Sequence, residues 1–286
     1  MDLSSIDRFM AIGAHCDDVD IRMGGTFARL VREGKQGCYV VAVENAYVGP
    51  HFVVDSAREA LQIRRRESTE AAGILGADRL EWLRFKSYYL SEPDRTVVYP
   101  LFESQEAMRE QLEDVILEGL PPVSMAYAAP ECVERVTSLI DDFAPDVVFT
   151  HYPDDRHPDH YNLSRFLSLL WEDSEREGGC EYDVVFWEPG SGGPLARFRP
   201  NLFVELSEED VETKDRALNC YWSQFPESTR KGYAAQRAGT YGEVIDVPYA
   251  EAFFEGVSPR MGEPDCELIR SLAEEPAGWE PAVWRL

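Results

Sequence analysis

The sequence lacks features that are typical of secreted and membrane-spanning proteins. Its six cysteines form no CxxC pair, so neither a disulfide framework nor a zinc ribbon is expected. No apolar run approaches the roughly 18 residues that a membrane span needs. The N-terminus, MDLSSIDRFMA, also has no basic segment of the kind that opens a signal peptide. We therefore expect a cytoplasmic protein with free thiols.

Basic residues are also scarce: 28 lysines and arginines stand against 53 aspartates and glutamates, for a formal net charge of −25. Such a surface repels phosphate backbones and anionic lipids, so neither nucleic acid nor a membrane surface is an expected partner. Hydrophobic residues make up 44% and aromatic residues 12% of the chain, which excludes a disordered acidic protein. With 286 residues, the chain can form one large α/β domain or two small ones.

Short apolar runs alternate with segments of helical period. The runs are rich in Val, Phe and Tyr, as parallel strands covered on both faces should be; they lie at 8–14, 37–45, 79–85, 146–152, 183–189 and 201–207. Helices are predicted at about 25–33, 57–75, 132–143 and 159–171. Ser207 and Asp210 resemble a capping box that opens a further helix towards Ser223. The alternation predicts an α/β fold: a Rossmann-like, doubly wound, mainly parallel sheet with helices on both faces.

Two regions fall outside this alternation. The segment from about 91 to 130 is long for a strand–helix connection and rich in proline. We interpret it as an insertion, with one helix near 105–118, that serves as a lid or a contact surface. Residues 1–258 are predicted to form a single domain that includes this insertion, and residues 259–286 a C-terminal helix and tail.

Polar side chains follow two of the predicted strands. His15, Asp17 and Asp18 come directly after the first strand, and the stretch HYPDDRHPDH, from His151 to His160, follows the strand at 146–152. Four of the five histidines lie in these two places. Because parallel strands end at the same edge of a sheet, and doubly wound sheets bind ligands there, we expect the two clusters to converge.

A divalent cation would make the adjacent carboxylates of Asp17 and Asp18 favourable. Imidazole and carboxylate together suit zinc. His15 and Asp18, three residues apart, can reach one ion, and His157 and His160 share a helical face if the intervening proline opens a helix. A catalytic zinc takes three protein ligands. One carboxylate and one imidazole then remain for the acid–base work of a hydrolase.

These stretches also resemble a known family. AHCDDVDIRMGGT is similar to the A-H-P-D-D-x-E-x-G-x-G-G-T motif of the PIG-L/LmbE-like zinc N-deacetylases, and DRHPDH to their H-P-D-H motif. RRRESTEAAGILGA resembles the family's R-x-x-E…LG helix. FRPNLFVELSEEDVETKDRALNCYWSQ resembles its P-N-x-x-V-D-I-S…K…A…SQ segment. The matches follow the order of the family and span about 9–254.

The resemblance implies a role for each matching residue. His15, Asp18 and His160 match the ligands of one zinc ion per chain. Asp17 matches the general base that activates the water. His157 matches the histidine that stabilises the oxyanion and donates a proton to the leaving amine.

Further residues are weaker candidates. Arg64 falls where members of the family contact polar groups of the substrate, and Arg22 lies near the metal loop. Asp155 and Asp159 could each orient a ligating imidazole. His151 is assigned to the pocket wall at best.

Three positions depart from the family motif. Cys16 replaces its proline, Asp20 its glutamate and Arg22 a glycine. None of the three removes a residue with an assumed catalytic role, so they bear on the substrate more than on the chemistry. Arg22 could narrow the pocket or favour an acidic substrate.

The resemblance implies an enzyme that removes an N-acetyl group from an amino sugar or a related small amide by cleaving a linear amide C–N bond. Its partner would be a small N-acetylated amino sugar or conjugate, and a homo-oligomer would be usual for the family. A metallophosphoesterase could use the same ligands, usually with two metal ions. A non-catalytic Rossmann-like binding protein would use AIGAHCDD as a phosphate loop, but G-x-G-x-x-G is absent and the acidic residues repel phosphate.

Overall fold

The computed structural model describes residues 3–44, 46–87, 120–179, 181–189, 198, 200–255 and 282–284. Its strands are β1 (Arg8–Gly13), β2 (Gln36–Glu44), β3 (Arg79–Lys86), β4 (Leu120–Pro122), β5 (Val147–His151), β6 (Asp183–Trp187), β7 (Leu202–Glu205), β8 (Ala250–Glu255) and β9 (Ala282–Trp284). Its α-helices are α1 (Asp18–Arg32), α2 (Ala57–Leu75), α3 (Pro130–Phe143), α4 (Pro158–Glu177), α5 (Glu208–Asn219), α6 (Glu227–Arg230) and α7 (Tyr233–Gly242). No helix among these residues is long and apolar enough to cross a membrane.

The strands form one sheet in the order β4-β3-β2-β1-β5-β6-β8-β7-β9. The pairs from β4 to β6 are all parallel. β8 runs antiparallel to both β6 and β7, and β9 is parallel to β7. The strand order reverses at β1, which has β2 on one side and β5 on the other. The carboxyl ends of β1 and β5 therefore border the crevice where doubly wound sheets bind ligands.

Apolar side chains of β1 point alternately to the two faces of the sheet, and both faces are covered. Phe9 and Ala11 belong to a core that includes residues of α1, α2, α5 and α7. Met10 and Ile12 belong to a second core, with residues of α3 and α4. The predicted α/β fold, with helices on both faces of a mainly parallel sheet, is confirmed.

The predicted start of the first helix is wrong. α1 begins at Asp18 rather than at residue 25, and acidic residues in its first turn are stabilised by the helix dipole. The helix is kinked at Met23, where φ is −136° and ψ is 18°. Because α1 begins at Asp18, Gly25 lies inside the helix. A Cβ atom there would approach Leu206 Cδ1 to 2.5 Å, so the glycine lets α1 pack closely against the segment after β7.

Other boundaries differ in smaller ways. The capping box of Ser207 and Asp210 is present, but α5 ends at Asn219 rather than running towards Ser223. Strands β4, β8 and β9 were not predicted; β4 and β9 have only three residues each, too few to show a periodic pattern. β9 lies within 259–286, the region predicted to hold a C-terminal helix followed by a tail. The rest of that region, and the helix predicted near 105–118, fall outside the described residues.

Candidate metal and catalytic site

The first loop of the site joins β1 to α1. It is tight: the carboxylate of Asp18 reaches back so that Oδ2 accepts the backbone N–H of His15 at 2.6 Å. The N–H of Asp18 in turn lies 3.4 Å from the carbonyl oxygen of His15. The two residues hold each other in place, and both are buried.

The second loop joins β5 to α4. α4 begins with Pro158 and has His157 as its N-cap, so the proline occupies the first helical turn as expected. Asp155 ties the loop together, because Oδ1 accepts the backbone N–H of His157 at 2.9 Å while Oδ2 lies 2.9 Å from Nδ1 of His160. The Nε2 atom of His160 is thereby left to face the first loop.

The two loops converge. Nδ1 of His15 lies 3.1 Å from Nε2 of His160. Oδ2 of Asp18 lies 3.3 Å from Nδ1 of His15, and Oδ1 of Asp18 lies 3.3 Å from Nε2 of His160. We call the group that meets here the histidine–aspartate cluster; its members are His15, Asp18, His151, His157 and His160.

The donor atoms of His15, Asp18 and His160 fit zinc. Zinc bonds of about 2.0–2.1 Å in a tetrahedron place neighbouring ligand atoms about 3.3 Å apart. The two imidazole nitrogens are 3.1 Å apart, and each lies 3.3 Å from one of the two carboxylate oxygens of Asp18. Imidazole and carboxylate are the ligand types that zinc takes in catalytic sites. Two overlapping groups, His15 with His157 and His160, and Asp18 with His151 and His160, have ligand atoms within 4.8 Å of one another. The predicted ligands combine members of both groups.

The electrostatics of the cluster also favour a cation. Burial alone would lower the pKa of His15, but hydrogen bonds to Asp159 and Asp18 raise it to about 10. Burial would likewise lower the pKa of His160, and Asp18 and Asp155 raise it. Burial would raise the pKa of Asp18, yet the charge of His160 and hydrogen bonds with His15 and His151 hold it well below its usual range. The buried carboxylates thus stabilise positive charge on the imidazoles, and a metal ion held between the same groups would be stabilised in the same way.

Each imidazole of the predicted metal site has a carboxylate at its other nitrogen. Oδ2 of Asp159 lies 3.1 Å from Nε2 of His15 and accepts the hydroxyl of Ser87 at 2.7 Å. Asp155 occupies the same position relative to His160. Carboxylates placed in this way fix the tautomer and the orientation of ligating histidines.

His151 lies in the cluster rather than on an outer wall. It is fully buried, and its Nε2 atom is 3.3 Å from Oδ2 of Asp18. However, the backbone N–H of Ala14 points at Nε2 at 2.9 Å, and the indole N–H of Trp187 points at Nδ1 at 3.2 Å. Because a neutral imidazole has one accepting nitrogen, the ring is already engaged by the protein. Burial and the charge of His160 lower the pKa of His151 to about 4.

Asp17 has a different partner from Asp18. Its Oδ2 atom lies 3.3 Å from the guanidinium of Arg64, which also lies 3.5 Å from Oε2 of Glu67. Glu67 is held in turn by the backbone N–H and the hydroxyl of Ser223, which it accepts at 2.7 Å each. Arg64 is only 2% exposed, and its guanidinium also lies over the ring of Tyr221. Its contact with substrate stays a prediction.

His157 stands at the edge of the cluster and is partly exposed. Burial and the charges of His15 and His160 lower its pKa to about 3. The backbone N–H of Asp159 approaches Nδ1 at 3.3 Å. If Nδ1 accepts this hydrogen bond, the neutral ring carries its proton on Nε2, where it can be donated to a bound ligand.

The three departures from the family motif lie inside the protein. The thiol of Cys16 is buried, and burial raises its pKa to about 12, which disfavours the reactive thiolate. Burial raises the pKa of Asp20 to about 7, although hydroxyl groups of Tyr39 and Tyr221 hydrogen-bond to it. Arg22 lies on the first turns of α1 and pairs with Glu188, its Nη1 atom 3.1 Å from Oε1.

Glu188, the partner of Arg22, directly follows a residue that contacts the cluster. It follows Trp187, whose indole contacts His151, and it accepts hydrogen bonds from Arg237 and Tyr241 as well. The two arginines hold the pKa of Glu188 below its usual range despite its burial. Only 9% of the Arg22 side chain is exposed, so it fills space that a glycine would leave open.

Comparison with known proteins supports the resemblance seen in the motifs. The family profile described as PIG-L: GlcNAc-PI de-N-acetylase matches residues 10–170, which include both loops. The mycothiol S-conjugate amidase of Streptomyces coelicolor is 31% identical over 242 residues, covering 78% of this chain and 73% of that protein.

Two further similarities are more distant. The 1D-myo-inositol 2-acetamido-2-deoxy-alpha-D-glucopyranoside deacetylase of Mycobacterium sp. (strain JLS) is 26% identical over 216 residues, 72% of this chain. The alignment spans 64% of that relative, slightly less than two thirds of its length. The N,N'-diacetylchitobiose deacetylase from Pyrococcus horikoshii has a TM-score of 0.62 at 21% identity, covering 89% of this chain and 85% of that one, and so shares its fold.

Proposed function

Because the chain belongs to the PIG-L family of GlcNAc-PI de-N-acetylases, we propose that it is a zinc-dependent hydrolase that removes an N-acetyl group from an amino sugar or its conjugate. The observation that carries this proposal is that two adjacent carboxylates contact different groups. Asp18 faces His15, His151 and His160, whereas Asp17 faces Arg64. One carboxylate is therefore available for a metal ion and the other for a proton.

The metal would be held by His15, Asp18 and His160. When bound, zinc polarises a carbonyl group and lowers the pKa of a water molecule. Asp17 then serves as the general base: its carboxylate accepts the proton of the attacking water, and Arg64 keeps it in one orientation. The same carboxylate can pass that proton towards the departing amine.

His157 supports the reaction from the opposite loop. Its pKa of about 3 leaves the ring neutral at neutral pH, so in this state it acts as a hydrogen-bond donor to the carbonyl oxygen as negative charge develops there. The transfer of a full proton from His157 to the leaving amine, which the family resemblance implies, requires a higher pKa once substrate is bound.

The names of the relatives support the substrate class. One is named for the deacetylation of a 2-acetamido sugar joined to inositol, and another for the cleavage of an amide in a thiol conjugate. We infer that this chain acts on a small glycoconjugate that carries an N-acyl group.

A screen for released acetate tests the proposal. The zinc-loaded protein is incubated with N-acetylglucosamine, with its glycosides and with N-acetyl amines that lack a sugar ring. We expect acetate release from at least one sugar substrate, and one zinc ion per chain by metal analysis. Phosphate-ester hydrolysis with two ions per chain would instead indicate a metallophosphoesterase, and the absence of both activities and of bound metal a binding protein.

Replacing Arg22 by glycine, the residue of the family motif, tests its effect on the pocket. The change removes the guanidinium that pairs with Glu188, while Glu188 keeps Arg237 and Tyr241 as partners. We expect the relative rates across the substrate panel to change more than the zinc content does. Arg216→Gly, at an exposed position of α5, controls for the roughly 1 kcal/mol cost of a helical glycine. Unchanged relative rates in Arg22→Gly would place Arg22 outside the pocket.

A further inference from the structure

The hydroxyl groups of two tyrosines meet at the loop that joins β1 to α1. Tyr39 lies on β2 and Tyr221 just after α5, and their hydroxyl oxygens are 3.3 Å apart. Oδ2 of Asp20 lies 2.5 Å from the hydroxyl of Tyr39 and 2.7 Å from that of Tyr221. Both hydroxyls also contact the carbonyl oxygen of Cys16, Tyr39 at 2.8 Å and Tyr221 more closely.

The two hydroxyl groups have few other hydrogen-bond acceptors available. Each phenol has one proton to donate, and two acceptors face the pair: the carbonyl oxygen of Cys16 and Oδ2 of Asp20. The hydroxyl of Ser68 reaches the same carbonyl at 3.2 Å. The other carboxylate oxygen of Asp20 has no hydrogen-bond partner within the part of the chain that the structure describes. Both tyrosines and Asp20 are fully buried, so water cannot readily replace a lost hydroxyl.

The carbonyl that the tyrosines hold belongs to the peptide between Cys16 and Asp17. The orientation of this peptide plane and the φ angle of Asp17, which is −111°, together set the direction in which the side chain of Asp17 leaves the backbone. Tyr221 also supports the partner of Asp17, because the guanidinium of Arg64 lies 5.7 Å from the centre of its ring. Tyr221 thus supports both members of this pair: its hydroxyl holds the peptide before Asp17, and its ring packs against Arg64.

We propose that Tyr39 and Tyr221 are positioning residues that fix the Cys16–Asp17 peptide and thereby aim the carboxylate of Asp17. The proposal rests on the N-deacetylase function proposed above, in which Asp17 is the base. Asp20 is one methylene shorter than the glutamate of the family motif, and the two hydroxyls connect this shorter carboxylate to the loop. Neither tyrosine touches substrate in this arrangement; both act through Asp17.

The double variant Tyr39→Phe/Tyr221→Phe tests the proposal. It removes both hydroxyls and keeps both rings. We expect kcat to fall by up to about 100-fold, the effect of a misplacement of about 1 Å, with little change in KM or in zinc content. Amide hydrogen exchange in the peptide that covers residues 14–20 should become faster. Each single variant should lose less, because one phenol remains.

Tyr152→Phe is the matched control. Tyr152 is also buried, and its hydroxyl has no hydrogen-bond partner among the described residues. This variant should keep the kcat of the wild type. A native kcat in the double variant, when the wild type releases acetate, would overturn the positioning role. If the wild type releases no acetate, the proposed function fails, and unchanged amide exchange in the double variant would then separately overturn the positioning role.

Discussion

The Asp17→Asn protein is expected to bind zinc as the wild type does and to turn over substrate roughly 10²–10⁴-fold more slowly, the usual contribution of general acid–base catalysis. The reason is geometric. Asp17 faces Arg64, while the cluster that would hold the ion is formed without it. The amide is nearly isosteric with the carboxylate, so substrate binding should survive while the proton acceptor is lost.

Zinc content and single-turnover rate, measured on one preparation of Asp17→Asn, test this result. Asp142→Asn, the same change at an exposed position of α3, should leave both values native. A nearly native rate with full zinc in Asp17→Asn would contradict the assignment of the base.

The same substitution at the neighbouring aspartate, Asp18→Asn, tests the metal-binding role. Because Asp18 contacts His15, His151 and His160, this variant should lose zinc affinity first, and its rate should follow its metal occupancy. If Asp17→Asn loses zinc and Asp18→Asn retains it, the roles of the two aspartates are reversed.

The His160→Ala protein is expected to lose most of its bound zinc and, with it, its activity. His160 is the point at which the two groups of candidate metal ligands overlap, and its ring links Asp18 on one side to Asp155 on the other. Its removal takes away one of three ligands. It also leaves both carboxylates without the imidazole that they share.

Metal analysis after dialysis, together with the rate at saturating zinc, measures the loss. His51→Ala is the matched control, since the ring of His51 lies outside the cluster and contacts the carbonyl oxygen of Trp222. That variant should keep its zinc and its rate. A stoichiometric ion in folded His160→Ala protein, with folding checked by circular dichroism, would show that His160 is not a ligand.

The strands and the site loops could be predicted because their signals are local. Apolar runs of parallel strands are recognisable within a few residues, and the six predicted strands are all present with small shifts in their ends. The antiparallel strand β8, which lies between β6 and β7 in the sheet, was not predicted. Its place depends on pairing with residues distant in the chain rather than on a pattern of its own.

Several residues around the site gave no signal in the sequence. Ser87 contacts Asp159, yet it stands at the end of a strand and belongs to no motif. Glu67 is the glutamate of the R-x-x-E stretch, but nothing in that stretch predicts its contact with Arg64. Tyr39 and Tyr221 likewise read as core aromatics, and only their convergence on one carbonyl distinguishes them. His151 had a usable signal, since it is the last residue of β5 and opens the HYPDDRHPDH stretch.

The sequence by itself determined the α/β alternation, the placement of two polar motifs after two strands, and the chemical types of the candidate ligands. Each depends on residues close together in the chain, so short-range spacing is enough to read it. The tertiary structure alone decided that Asp17 and Asp18 face different partners, that His151 lies in the cluster, and that Arg22 pairs with Glu188. These contacts join residues from separate loops, strands and helices. They exist only after the sheet has brought the carboxyl ends of β1, β5 and β6 to one edge, because the direction of a buried side chain is set by the groups packed around it.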